Sequence, residues 1–156
     1  MHIIAHSMGN RGVLRAVNRI AAKAERRTGK PFGQVILAAA DVDADVFRQL
    51  SAAYADVASR TTLYVSKRDR AVEASRWLHH FARAGLMPPT LVVPGIDTIN
   101  VTNVDLTMLG HGYIAEARDV LIDMHALITR GAAPDERFGL REAKNEEGAR
   151  YWLIGA

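Results

Sequence analysis

Apolar and polar positions along the chain fall into two alternating patterns. Short, nearly continuous apolar runs occur at residues 2–6 (HIIAH), 34–40 (QVILAAA), 61–66 (TTLYVS) and 99–102 (INVT). Each has the length of a strand, and a continuous run predicts a strand covered on both faces, as in a parallel sheet. Between these runs the apolar positions recur every three or four residues, the period of an amphipathic helix. Residues 9 to about 28 place Val13, Leu14, Val17, Ile20, Ala21 and Ala24 on one face, and Gly29-Lys30-Pro31 stops the segment. Residues 45 to about 59 do the same with Val46, Leu50, Ala53, Tyr54 and Val57. Asp69 opens a third helix that runs to about Arg83, before Gly85 and Pro88-Pro89 break the pattern. Tyr113 to about Arg130 forms a fourth, with Ile114, Ala117, Val120, Leu121, Met124 and Leu127 inward. Residues 90–94 (TLVVP) read equally as a short extended piece or a loop.

The end of the chain behaves differently. Residues 131–149 are rich in glycine, proline and charge, and 150–154 (RYWLI) predict a last strand. That strand is expected to pair with residues 138–140 across a turn at 144–148. The order βαβαβαβα predicts one α/β domain over residues 1–156. It would be a three-layer sandwich, with helices on both faces of a mainly parallel sheet of about four or five strands. Residues 131–156 would form an irregular tail with a terminal hairpin.

Composition narrows the function classes. The chain has 156 residues, 49% hydrophobic and 24% charged, enough for a sizeable core. No apolar run approaches the roughly 20 residues of a membrane span. Met1 leads into a strand-like segment without a basic leader, so neither secretion nor a membrane partner is expected. The absence of cysteine excludes disulfides, thiol nucleophiles and cysteine-bound metals, and fits a reducing cytoplasm. A net charge of +3 raises the question of nucleic acid. The basic residues, however, are dispersed among acids. The densest group, Arg26-Arg27-Thr28-Gly29-Lys30, falls at a helix end, where cations complement the helix dipole. No nucleic-acid partner is expected. A nucleotide is disfavoured too, since there is no Walker loop and no Gly-x-Gly-x-x-Gly fingerprint.

In a parallel α/β sheet, functional groups gather at the carboxyl ends of the strands. His6, Ser7 and Met8 follow the first strand, Asp41 and Asp43 the second, Lys67, Arg68 and Asp69 the third, and Asn103, Asp105 and His111 the fourth. Ser7 has Ala5 two residues before it and Gly9 two after. This is the small-x-Ser-x-small pattern of a nucleophile elbow, with alanine in place of the usual first glycine. Serine, acid and histidine then follow in the chain order of a catalytic triad. A serine hydroxyl needs an imidazole to take its proton, and the imidazole needs a carboxylate to orient it. Asp69, Asp41, Asp43 and Asp105 are all candidates for that carboxylate. Structural readings compete: Ser7 and Asp69 as helix N-caps, and His111 as a solvated loop residue between Gly110 and Gly112. His6 is expected to pack near the elbow, and Tyr113 and Trp152 to serve the core. His79 and His80 are neighbours on a helix, do not share a face, and make no metal site.

Three segments carry a resemblance. Ala-His-Ser-Met-Gly-Asn, Ser-Lys-Arg-Asp-Arg-Ala and Gly-His-Gly-Tyr-Ile resemble the α/β-hydrolase superfamily over most of the chain, to about residue 130. Within it they look most like a bacterial group known as a domain of unknown function. The resemblance implies Ser7 as nucleophile, Asp69 as acid, His111 as base and the Met8 backbone N–H as an oxyanion donor. It implies hydrolysis of an ester-like small molecule through an acyl-enzyme, with no cofactor and no metal. It also implies about four further strands before the elbow, one of them followed by a loop bearing a second oxyanion donor. This sequence matches only the carboxyl half. The elbow strand is therefore expected at a sheet edge, where two copies could pair as a homodimer. The second expectation is a non-catalytic remnant that self-associates through that edge.

Overall fold

The computed structural model describes residues 1–23, 28–66, 82–85, 87, 90–102 and 117–155. A six-stranded sheet runs through it in the order β1-β2-β3-β4-β6-β5. The strands are β1 (Ile3–His6), β2 (Phe32–Ala38), β3 (Ala58–Ser66), β4 (Asp97–Val101), β5 (Arg141–Lys144) and β6 (Arg150–Ile154). Strands β1 to β4 and β6 are parallel, and β5 pairs antiparallel with β6 at the edge. The sheet thus has α/β character with mostly parallel strands, as the alternation predicts.

Strand β2 is covered on both faces because its central residues are apolar. Val35, Ile36 and Leu37 of β2 are each 0% exposed, and burying a side chain of this kind contributes about 1.5–3 kcal/mol. Successive residues serve opposite faces. Val35 and Leu37 join Ala5, Leu14, Val17, Phe47, Tyr54 and Val65 under helices α1 (Gly9–Ala21), α2 (Ala44–Leu50) and α3 (Ala53–Val57). Ile36 and Ala38 join Tyr64, Ile99, Val101, Leu127, Trp152 and Ile154 under α4 (Arg118–Arg130). Helices therefore cover both faces, as a three-layer sandwich requires. Trp152 is a core residue, as expected. No helix among the described residues is long and apolar enough to cross a membrane.

Several boundaries differ from the sequence expectation. The described part of the first helix stops at Ala21. The helix expected over 45–59 is broken into α2 and α3 at Ser51-Ala52, and its second piece ends at Val57 because the chain enters β3 already at Ala58, which pairs with Phe32. The run 34–40 leaves the sheet after Ala38, where Ala39 turns with φ 45°. The terminal strand pairs with residues 141–144 rather than 138–140. It also lies parallel beside β4, which brings the sheet to six strands.

Two long-range features hold the ends of the strands. Residues 82–85 run alongside 40–44: Gly85 N–H donates to Ala40 C=O at 3.0 Å, Ala84 N–H to Val42 C=O at 2.8 Å, and Ala44 N–H to Ala82 C=O at 2.9 Å. Gly85 is required by this approach. A Cβ there would lie 2.4 Å from the Ala40 nitrogen and 2.7 Å from the Ala39 carbonyl carbon, both backbone atoms. Gly85→Ala is expected to destabilise the fold by about 3 kcal/mol, since neither backbone segment can retreat without breaking its pairing. Urea denaturation checks this; a change within about 0.5 kcal/mol, typical of an indifferent surface site, would contradict it.

The second feature is a buried charge cluster. Tyr64 Oη donates to Asp123 Oδ2 at 2.5 Å, and Arg137 Nη1 donates to the same oxygen at 3.0 Å. The Asp123 and Arg137 side chains are both 0% exposed. Burial pushes the Asp123 carboxyl above its usual range, while the Tyr64 hydrogen bond and the Arg137 charge pull it back. Burial first, and then the Asp123 charge, hold the Tyr64 phenol well above its ordinary value. One carboxylate oxygen thereby joins β3, α4 and the segment after α4.

Candidate active site

The elbow is built where β1 gives way to α1. Ser7 has φ 50°, a left-handed backbone that serine rarely adopts. Its N–H donates to Ala38 C=O at 3.0 Å, continuing the β1–β2 pairing by one residue. Its carbonyl accepts three hydrogen bonds, from Asn10 N–H at 3.2 Å, Asn10 Nδ2 at 2.9 Å and Asp41 N–H at 3.3 Å. The backbone turn is thus fixed from both sides of the peptide unit.

This geometry is not that of a helix N-cap. A capping serine has an extended backbone, and its hydroxyl accepts from an N–H in the first turn. Here the backbone is left-handed, and the Asn10 N–H goes to the Ser7 carbonyl instead. The residue at the cap position is Met8, whose side chain makes no capping bond. Among the described residues the Met8 N–H has no acceptor. It is one of the unpaired donors at a helix start, where partial positive charge accumulates. Ala5 is buried beneath the turn. A Cβ on Gly9, by contrast, would meet nothing within 4 Å. A small residue at position 9, as the elbow pattern has it, is therefore not required by crowding among the described residues.

Two of the candidate acids are occupied. Asp43 Oδ1 accepts from Asp45 N–H and Val46 N–H, both at 3.0 Å, and so caps α2. Asp41 lies beside the elbow and is buried. Its Oδ2 accepts from Arg11 Nη2 at 2.8 Å, its backbone carbonyl accepts from Arg11 Nε at 2.7 Å, and Arg83 Nε approaches Oδ1 at 3.3 Å. The Arg83 contact is an ion pair rather than an aligned hydrogen bond. Two guanidinium groups therefore hold the Asp41 charge, and a carboxylate so engaged is poorly placed to orient an imidazole. A crevice of about 180 Å³ lies between α1 and α2 next to this cluster, lined by Arg11, Leu14, Val42, Val46, Leu50 and Arg83 among others. It is smaller than the roughly 300–1,000 Å³ typical of a drug-sized ligand's pocket.

The described structure thus brings together Ser7, Met8, Asn10, Arg11, Asp41 and Arg83. Asp69, Asp105 and His111 lie outside the described residues, as do His79, His80 and Tyr113. His6 is exposed at the end of β1. The residue that sequence reasoning missed is Asn10. The signal for it was present, since Asn10 is the one polar position on the buried stripe Asn10, Leu14, Val17 of α1.

Comparison with known proteins adds the family. A family model described as an alpha/beta hydrolase of unknown function (DUF900) matches residues 1–130. No curated protein and no solved structure matches the chain.

Proposed function

Because this chain belongs to an alpha/beta hydrolase family of unknown function, we propose that it descends from, and retains the nucleophile of, a serine hydrolase acting on ester-like acyl bonds. Ser7 is the nucleophile, His111 takes its proton and returns it to the leaving alcohol, and Asp69 orients His111. The Met8 N–H is one donor to the oxyanion. The observation that carries this reading is the backbone of Ser7: a serine held left-handed, between a parallel strand and a helix, with its hydroxyl not used for capping. Asp41 is held by Arg11 and Arg83 and Asp43 caps α2, which leaves Asp69 and Asp105 of the four candidate acids, and the family resemblance favours Asp69. The cycle forms a Ser7 Oγ–acyl bond as the alcohol departs, and water then releases the acid.

Hydrolysis of p-nitrophenyl esters of short acids tests it. The wild-type chain is expected to release p-nitrophenol above the buffer rate, with His111→Ala and Asp69→Asn each lowering the rate by on the order of 10⁴-fold or to background. Wild-type protein that is folded and no faster than buffer would sink the enzymatic reading.

One observation favours a second reading, a non-catalytic chain that self-associates. Among the described residues β1 is the end of the sheet, and Ile4 within it is 57% exposed although its neighbour Ile36 is 0%. An apolar edge strand of this kind invites pairing with another. Under this reading, light scattering gives a dimer mass that Ile4→Lys returns to monomer. A monomer at all concentrations rules it out.

A further inference from the structure

Asn10 is 1% exposed, on a stripe otherwise formed by Leu14 and Val17. Its Nδ2 donates to two carbonyls that lie far from each other in sequence, Ser7 C=O at 2.9 Å and Ala38 C=O at 3.1 Å. Ala38 C=O also accepts the Ser7 N–H. Ser7 and Ala39, with φ 50° and 45°, are the non-glycine residues with left-handed backbone among those described. The carbonyls held by Asn10 are that of Ser7 itself and the one immediately before Ala39. A single amide thus grips both turns. Such conformations persist only where the surroundings over-determine them. Asn10 also carries a buried Oδ1 with no hydrogen-bond partner among the described residues. An orphaned buried acceptor lowers stability, and an apolar side chain on the stripe would avoid the loss. The amide's stabilising use is therefore its nitrogen.

We propose that Asn10 is a positioning residue of the elbow, whose side chain locks Ser7 and Ala39 in their left-handed turns. Removing it lets Ser7 relax toward the ordinary N-cap conformation, in which the hydroxyl is drawn to the first turn of α1. The conformational part stands on the hydrogen bonds alone; the catalytic consequence rests on the reading of Ser7 as nucleophile.

Asn18 supplies the control. It lies on the same helix, and its Nδ2 likewise donates to two carbonyls, Leu14 C=O at 2.8 Å and Leu50 C=O at 3.1 Å, away from the elbow. The experiment compares wild type, Asn10→Ala and Asn18→Ala by the backbone chemical shifts of Ser7 and by ester hydrolysis. Asn10→Ala is expected to move the Ser7 Cα and Cβ shifts out of the left-handed range. It should lower kcat about 100-fold with KM within about twofold, the result of a misplaced rather than a missing group. Asn18→Ala is expected to lose a similar amount of stability and leave both readouts unchanged. If Asn10→Ala does not fold, Asn10→Asp serves in its place, because it keeps the shape and turns the donor into an acceptor. Left-handed Ser7 shifts retained in either folded variant overturn the proposal whatever the activity. Relaxed Ser7 shifts with unchanged kcat overturn its catalytic part. Relaxed shifts in a protein whose wild type hydrolyses nothing support the positioning role and dispose of the nucleophile.

Discussion

Ser7→Ala is expected to reduce ester hydrolysis by about 10⁶-fold in kcat, or to the buffer rate if that is reached first. The size follows from the chemistry: without the hydroxyl there is no acyl-enzyme, and the imidazole has no proton to take. The strained backbone adds a second, opposite expectation. Alanine is no more at ease than serine at φ 50°, but glycine is. Ser7→Gly should therefore be as inactive as Ser7→Ala and more stable by about 1 kcal/mol, the low end of what one left-handed residue costs. Stability gained where activity is lost is the signature of a residue kept for function. Thermal or urea denaturation of the two inactive variants measures it. A glycine variant less stable than the alanine one would mean that Ser7 is not strained.

Asp123→Ala is the substitution expected to damage the fold most. It leaves the Arg137 guanidinium buried without its partner and the Tyr64 hydroxyl without its acceptor. Breaking a buried ion pair in this way costs about 3–5 kcal/mol, a large fraction of the 5–15 kcal/mol that typically holds a domain together. The contrasting variant replaces the whole cluster. Asp123→Leu, Arg137→Met and Tyr64→Phe together remove every polar group that needs a partner, and are expected to lie within about 1 kcal/mol of wild type or above it. Urea denaturation of the single and triple variants gives the comparison. If the triple variant is as unstable as the single one, the cluster stabilises by its charges rather than merely tolerating them.

The layers and the parallel strands were legible because they are written in local periodicity. QVILAAA has no polar face, and Leu14 and Val17 recur at helical spacing. The tight strand-to-helix turn at Ser7 was legible for a similar reason: a small-x-Ser-x-small pattern at the end of an apolar run is a local signal. What escaped was set by distant partners. The end of α3 at Val57 follows from the register that places Ala58 beside Phe32. The place of β6 beside β4 follows from a contact across more than forty residues, and the pairing partner of β6 slid to Arg141–Lys144 for want of any local cue. Asp43 read as a strand-end acid, but it is also the ideal residue to cap the helix that follows, and capping uses its carboxylate. Asn10 and Arg137 looked like ordinary polar residues. Only the fold reveals that one grips two strained turns and the other lies wholly inside.

The proposed function makes Ser7 an activated nucleophile. A fluorophosphonate probe tests it most directly, because it reacts with an activated serine hydroxyl and leaves a mass that peptide mapping can place. The expected result is one adduct, on the peptide containing Ser7, absent from Ser7→Ala and strongly slowed in His111→Ala. A folded chain that stays unlabelled, or one labelled elsewhere, would contradict the account.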